Sequence, residues 1–183
     1  MRRVRLALAI ATLAGLAAAG CVLISAQVLV TYDFAAHGFD PLIVTSPAAL
    51  AGVPVDLNTV KSYNDHKSDL QQVSDLALVG KITNLTANAT DAEVWMVANP
   101  GTMLTTDAAV RNAGVEIWGP LHLGPNGVVQ VGWDASSKLF VGRQALIDEI
   151  KGDGRFDLYV IGSGSYSYRV DKGALIAVLA AGR

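Results

Sequence analysis

The chain is poor in the residue types that carry chemistry. Among 183 residues there is one cysteine and there are three histidines. A single cysteine excludes an intramolecular disulfide. His37, His66 and His122 lie far apart in the chain. No Gly-x-Ser-x-Gly elbow, phosphate loop, dinucleotide fingerprint or zinc-helix motif occurs. Gly162-Ser163-Gly164-Ser165 reads as a turn between two strands, and no histidine follows it to act as a base. Basic clusters are scarce as well. Apart from Arg2, Arg3 and Arg5, 11 basic side chains face 16 acidic ones, a formal charge of −5. That balance argues against a nucleic-acid footprint and against electrostatic docking on anionic lipid. The sequence holds no internal repeat and no low-complexity segment.

The N-terminus is rich in signal. Arg2, Arg3 and Arg5 form a basic head, and Leu6–Ala19 is an apolar run interrupted only by Thr12 and a glycine. Small residues then close it at Ala18-Ala19-Gly20-Cys21. This order of regions is that of an export signal. With its terminal cysteine it resembles the lipobox of bacterial lipoproteins, although alanine at Ala18 is a less typical choice than leucine. The resemblance implies that residues 1–20 are a signal peptide and that the Cys21 thiol receives a diacylglycerol. It further implies cleavage before Cys21 and acylation of the new amine. Two or three acyl chains, at about 0.8 kcal/mol per buried methylene, anchor stably where one does not. Val22 stands where aspartate tends to mark inner-membrane retention, so the same resemblance implies outer-membrane sorting. Two other readings stay open: an ordinary cleaved signal, and an uncleaved helix over Leu6–Val30, long enough to span a bilayer core that needs about 20 residues.

Residues 21–183 are enough for one domain with its own core. Runs with period-two alternation predict strands at Gln27–Phe34, Asp75–Asn84, Ala92–Ala98, Gly114–Trp118, Val128–Trp133, Arg155–Ile161 and Tyr166–Val170. Ala174–Leu179 is apolar and suits strand or helix. Pro125-Asn126-Gly127 is the strongest hairpin signal and predicts pairing of Val115–Leu123 with Val128–Trp133. Ser62–Val73 and Gly142–Lys151 predict two short helices, the first with a capping-box spacing from Ser62 to Asp65 and the second closed by Gly152. Many short strands with few helices predict a mainly β fold, an antiparallel β-sandwich, immunoglobulin-like only in the general sense. The first strand follows Cys21 almost without a linker. A strand beside the membrane also offers a sheet edge to which a partner can add.

Three functional expectations follow. The first is a membrane-anchored envelope lipoprotein with a structural or protein-interaction role, no enzymatic activity and no cofactor, facing the periplasm or the cell surface. The second is a glycan- or peptide-binding module, because Trp95 and Trp118 alternate onto the faces of Glu93 and Glu116, whereas Trp133 falls with Val129 and Val131 as core. The third is a metal-dependent enzyme around His66. On a helix His66 and Asp69 share a face, and Asp65 or Asp56 adds oxygen, although divalent sites use three or four ligands.

Overall fold

The computed structural model describes residues 26–47, 50–98 and 101–182. The expected signal peptide, residues 1–20, and Cys21 lie outside the described residues. Among the described residues nine strands form two antiparallel sheets. They are β1 (Ala26–Asp33), β2 (Leu42–Thr45), β3 (Gly52–Asp56), β4 (Leu70–Asn84), β5 (Thr90–Ala98), β6 (Val115–Leu123), β7 (Val128–Val131), β8 (Arg155–Gly162) and β9 (Ser167–Ala181). The first sheet runs β1-β9-β4-β7, and β2 continues the line of β1 along the same side of β9. The second runs β3-β8-β5-β6. Four α-helices are interspersed: α1 (Lys61–Asn64), α2 (Asp107–Ala113), α3 (Trp133–Ser137) and α4 (Arg143–Lys151). The predicted antiparallel sandwich is therefore the observed architecture.

The sheets differ in length for a reason visible in the pairing. β4 and β9 pair from Leu70↔Ala181 to Asn84↔Tyr168, with bulges that let so long a pair twist. The second sheet spans only the half near Asn84 and Tyr168, where the Tyr168 hydroxyl donates to Asp91 O at 2.8 Å. The rest of the long pair packs against helices. α3 and α4 lie on β4, and α1 lies on β1. The Tyr63 hydroxyl donates to Ile150 O at 2.7 Å, joining α1 to α4. Gly80, at φ +154°, sits at one bulge, where a Cβ would meet the Gly173 Cα at 3.2 Å. Val30, Leu76, Ile82, Val94, Leu158 and Leu175 belong to one continuous core. The void between the sheets is about 40 Å³, far below the roughly 300–1,000 Å³ of small-molecule sites.

The sequence expectation fails at Ser62–Val73, at Trp133 and in the hairpin expected at Pro125-Asn126-Gly127, and it is decided at Ala174–Leu179, which suited strand or helix. Ser62–Val73 is not one helix: α1 stops at Asn64, a 3-10 turn spans Lys67–Asp69, and Leu70 already pairs in β4. Ala174–Leu179 is strand, continuous with Ser167–Val170 in β9. Trp133 is half-buried and opens α3, because β7 ends at Val131. The Pro125-Asn126-Gly127 turn does form, with Gly127 N–H donating to Gly124 O at 2.9 Å. It joins no hairpin, however, since β6 pairs with β5 and β7 pairs with β4. Residues 26–30, the end of the alternative Leu6–Val30 helix, are strand. Among the described residues no helix is long and apolar enough to cross a membrane.

Candidate functional site

Alternation along β5 turns Ala92, Val94 and Met96 into the core and leaves Glu93, Trp95 and Val97 on the outer face. Glu116 of β6 lies opposite Trp95. Above them runs α2, whose Thr106 N-cap accepts from Ala109 N–H at 3.2 Å. It delivers Arg111, whose guanidinium carbon stands 4.9 Å over the Trp95 ring. Arg111 also pairs with Glu93 Oε2 at 3.0 Å. Trp95 Nε1–H donates to the same oxygen at 3.0 Å. Burial, together with the Glu93 carboxylate, pushes the Glu116 carboxyl above its ordinary value, and Arg111 offsets part of that. Chemically this is an acid pair shared around one guanidinium, with the indole closed on one face by a cation–π contact. Arg111 and the Trp95 indole N–H share Glu93 Oε2.

Removing that cation is expected to expose the indole. Arg111→Ala should lower stability by about 1 kcal/mol, the sum of a surface pair and a cation–π contact. It should also raise the Glu116 pKa further. Tryptophan emission moving to longer wavelength would report the first effect, and carboxyl titration by NMR the second; unchanged emission would mean that Arg111 does not cover Trp95.

The neighbouring strand carries a buried acid. Asp157 is 2% exposed, and its Oδ1 has no hydrogen-bond partner among the described residues. Burial raises its carboxyl above the ordinary range, and the nearby Tyr159 hydroxyl offsets part of the rise. The Tyr159 hydroxyl accepts from Leu104 N–H at 2.9 Å and contacts Met103 Sδ at 3.6 Å. The segment leading into α2 thus closes over β8. Asp107, at the start of α2, accepts from the Tyr166 hydroxyl at 2.8 Å and from Ser46 Oγ at 3.1 Å, which fixes the cover in place. The sequence marked Glu93 and Glu116 only through their alternation with tryptophans. Asp107 and Arg111, both on α2, and Asp157, on β8, carry no local signal.

The two tryptophans part company. Trp95 is half-buried on the outer face as expected, beneath Arg111. Trp118 is 1% exposed and turns into the core, so it offers no stacking surface. β6 pairs irregularly with β5 at this point: Val94 meets Trp118 and Trp95 meets Glu116, which breaks simple alternation. Phe140 bridges to Trp118 across the outer edge.

The metal expectation loses its geometry with the helix that carried it. Asp65, just past the end of α1, pairs with Lys61, His66 is half-buried beyond it, and Asp69 belongs to the 3-10 turn. Asp56 accepts from Asn58 at 2.7 Å and from Arg155 at 3.2 Å. Among the described residues no group of three or more His, Cys, Asp or Glu is placed to hold a metal ion. His122 pairs at 3.0 Å with Asp91 on an exposed strand. Lys67 and Arg155, which line a polar surface depression with Ser68 and Asp153, are each engaged by a neighbour, Asn58 and Asp56. Comparison of the chain with protein-family models, curated proteins and solved structures finds no match.

Proposed function

We propose that the chain is a lipid-anchored lipoprotein of the bacterial cell envelope, sorted to the outer membrane, whose sandwich is a structural or protein-interaction module. The observation that carries this reading is one of position. The lone cysteine ends a lipobox-like run, and β1 begins at Ala26, five residues after it. A tether that short holds an edge strand at the bilayer surface. The outer-face polar cluster supports a structural role, because Glu93, Trp95 and Arg111 are engaged with one another. Catalytic groups need a reacting partner within hydrogen-bond reach, about 2.6–3.2 Å.

Cys21→Ala tests the anchor. Cells expressing the chain and fed a labelled fatty acid should incorporate label into the wild type and none into the variant. The variant should also keep the mass of residues 1–20. Equal labelling of both chains would overturn the reading, and so would wild-type protein held in membranes at its full, unacylated mass.

A further inference from the structure

Among the described residues each sheet edge but one is blunted. β3 carries Pro54 at its centre, and the Pro54 carbonyl is taken by the Tyr32 hydroxyl at 2.8 Å. β6 contains Pro120, and its free side is met by the following segment: Gly119 N–H donates to Leu139 O at 2.9 Å, and Val141 N–H to Ile117 O at 3.0 Å. β7 and β2 have four residues each. The stretch of β4 beyond β7 is capped by side chains, with Leu78 N–H on Ser136 Oγ at 2.7 Å and Arg143 on Ser74 O at 2.7 Å. β1 differs. It has eight residues, Ala-Gln-Val-Leu-Val-Thr-Tyr-Asp, with no proline or lysine, and it pairs with β9 in unbroken register. Natural sheets blunt such an edge unless something pairs with it.

The free groups on this edge can be identified. Phe34 N–H donates to Gly173 O at 3.0 Å, directly across the strand pair. Antiparallel partners alternate between bonded and non-bonded positions. Counting back from Phe34, the even residues bond to β9, and Gln27, Leu29, Thr31 and Asp33 turn their N–H and C=O away from it. The Asp33 carbonyl agrees with this parity, since it points outward and accepts from His37 Nδ1 at 2.8 Å. That contact closes the far end of the edge. Among the described residues nothing takes the outward backbone groups of Gln27, Leu29 and Thr31, and Leu29 is 60% exposed on the outer face.

We propose that β1 pairs antiparallel with β1 of a second copy of this chain, with Leu29 on the two-fold axis. Leu29 then exchanges both backbone bonds with Leu29 of the other copy, and each Gln27 does so with the opposite Thr31. This register uses the open groups and leaves the closed Asp33 carbonyl outside the pairing. It opposes no like charges. It also continues an apolar strip, because Leu29 lies beside Val178 on β9, so that Val178, Leu29, Leu29 and Val178 line up across the axis. One strand pair is a small interface. The reading rests on the proposed lipid anchor at this point: confinement to a membrane raises the effective concentration of one copy around another.

The test is oxidative cross-linking of the full chain in its native membranes. Directly opposed bonded residues have Cα atoms roughly 5.5 Å apart, inside the disulfide range of about 4.4–6.8 Å. Leu29→Cys is expected to give a disulfide-linked dimer. Ile43→Cys, 52% exposed on β2 of the same sheet, is expected to give none. Leu29→Lys should halve the mass of the purified detergent-solubilised protein while leaving its thermal midpoint close to wild type. The proposal is overturned if Leu29→Cys stays monomeric, if Ile43→Cys cross-links as well, or if Leu29→Lys keeps the wild-type mass. Cross-linking of the wild type through Cys21 would instead show a free thiol and overturn the lipid anchor; the strand pairing is then read from Leu29→Cys in a Cys21→Ala background.

Discussion

Trp118→Ala is expected to destabilise the protein by about 3–5 kcal/mol, the range for truncating a buried aromatic side chain. In a domain of this size each kcal/mol moves the thermal midpoint by roughly 2–4 °C, so the fall should be on the order of 10 °C. The indole is 1% exposed, and it does more than fill space. Its Nε1–H lies 3.1 Å from both the carbonyl and the hydroxyl of Ser136. The same hydroxyl accepts from Leu78 N–H at 2.7 Å. Ser136 is fully buried in α3, so Trp118 ties β6 to α3 and, through it, to β4 across the sandwich. Trp118→Phe keeps most of the apolar surface but leaves Ser136 short of a donor, at a cost of about 1–3 kcal/mol. Chemical denaturation of both variants checks this order. A midpoint for Trp118→Ala within 2 °C of wild type would place the indole on the surface, where strict alternation from Glu116 puts it.

That discrepancy shows which kinds of information the sequence holds. Where one face is core and the other solvent, period-two alternation is a direct imprint of burial, and β5 reads correctly from Ala92 to Met96. It weakens where both faces are covered. In β8 every residue from Phe156 to Gly162 is buried, because the segment through Met103 and Leu104 closes over the outer side. It fails at irregular pairing, as at Trp118. Turn chemistry is similarly local. Asn126 adopts φ 51° and the turn closes as its residues demand. Partner choice lies elsewhere: Asn84, fully buried, donates to Gly124 O at 2.9 Å and to Asn88 O at 2.7 Å, and Asn126 N–H donates to Thr86 O at 2.8 Å. The turn is thereby clamped to the β4–β5 loop and carries the chain from one sheet to the other. The capping-box spacing from Ser62 to Asp65 caps nothing: Val60 is the N-cap of α1 and makes no side-chain cap bond, Ser62 lies inside the helix, and Asp65 at its end pairs with Lys61. The β-branched and apolar residues from Leu70 onward have a long partner in β9, and tertiary pairing outweighs helical propensity there. The outer-face cluster was half legible: Glu93, Trp95 and Glu116 follow from alternation, but Arg111 arrives on a helix whose packing no local pattern encodes.

The second large effect concerns Asp157. Its folded-state pKa lies above its ordinary value because burial disfavours the carboxylate. An acid shifted in that direction binds its proton more tightly in the folded than in the unfolded chain. Its stabilising contribution is therefore fully present below the unfolded pKa and is lost as pH rises through the folded one. Asp157→Asn removes the titration. The variant should show a flatter fall in stability from about pH 4 upward, and at pH 7–8 it should exceed the wild type by about 1–3 kcal/mol, the scale for a buried polar group without a partner. Denaturant midpoints at pH 4 and pH 8 for both chains measure this. Glu116 and Glu149, also raised by burial, contribute slopes of the same sign. Asp56 contributes the opposite one, since hydrogen bonds from Asn58 and Arg155 outweigh its burial and hold it low. Those slopes are common to wild type and variant and cancel in the difference, which isolates Asp157. Identical pH slopes in the two chains would mean that the carboxylate is stabilised beneath the Met103–Leu104 cover. A variant less stable at pH 8 than the wild type would mean that the buried charge has a partner the amide cannot replace.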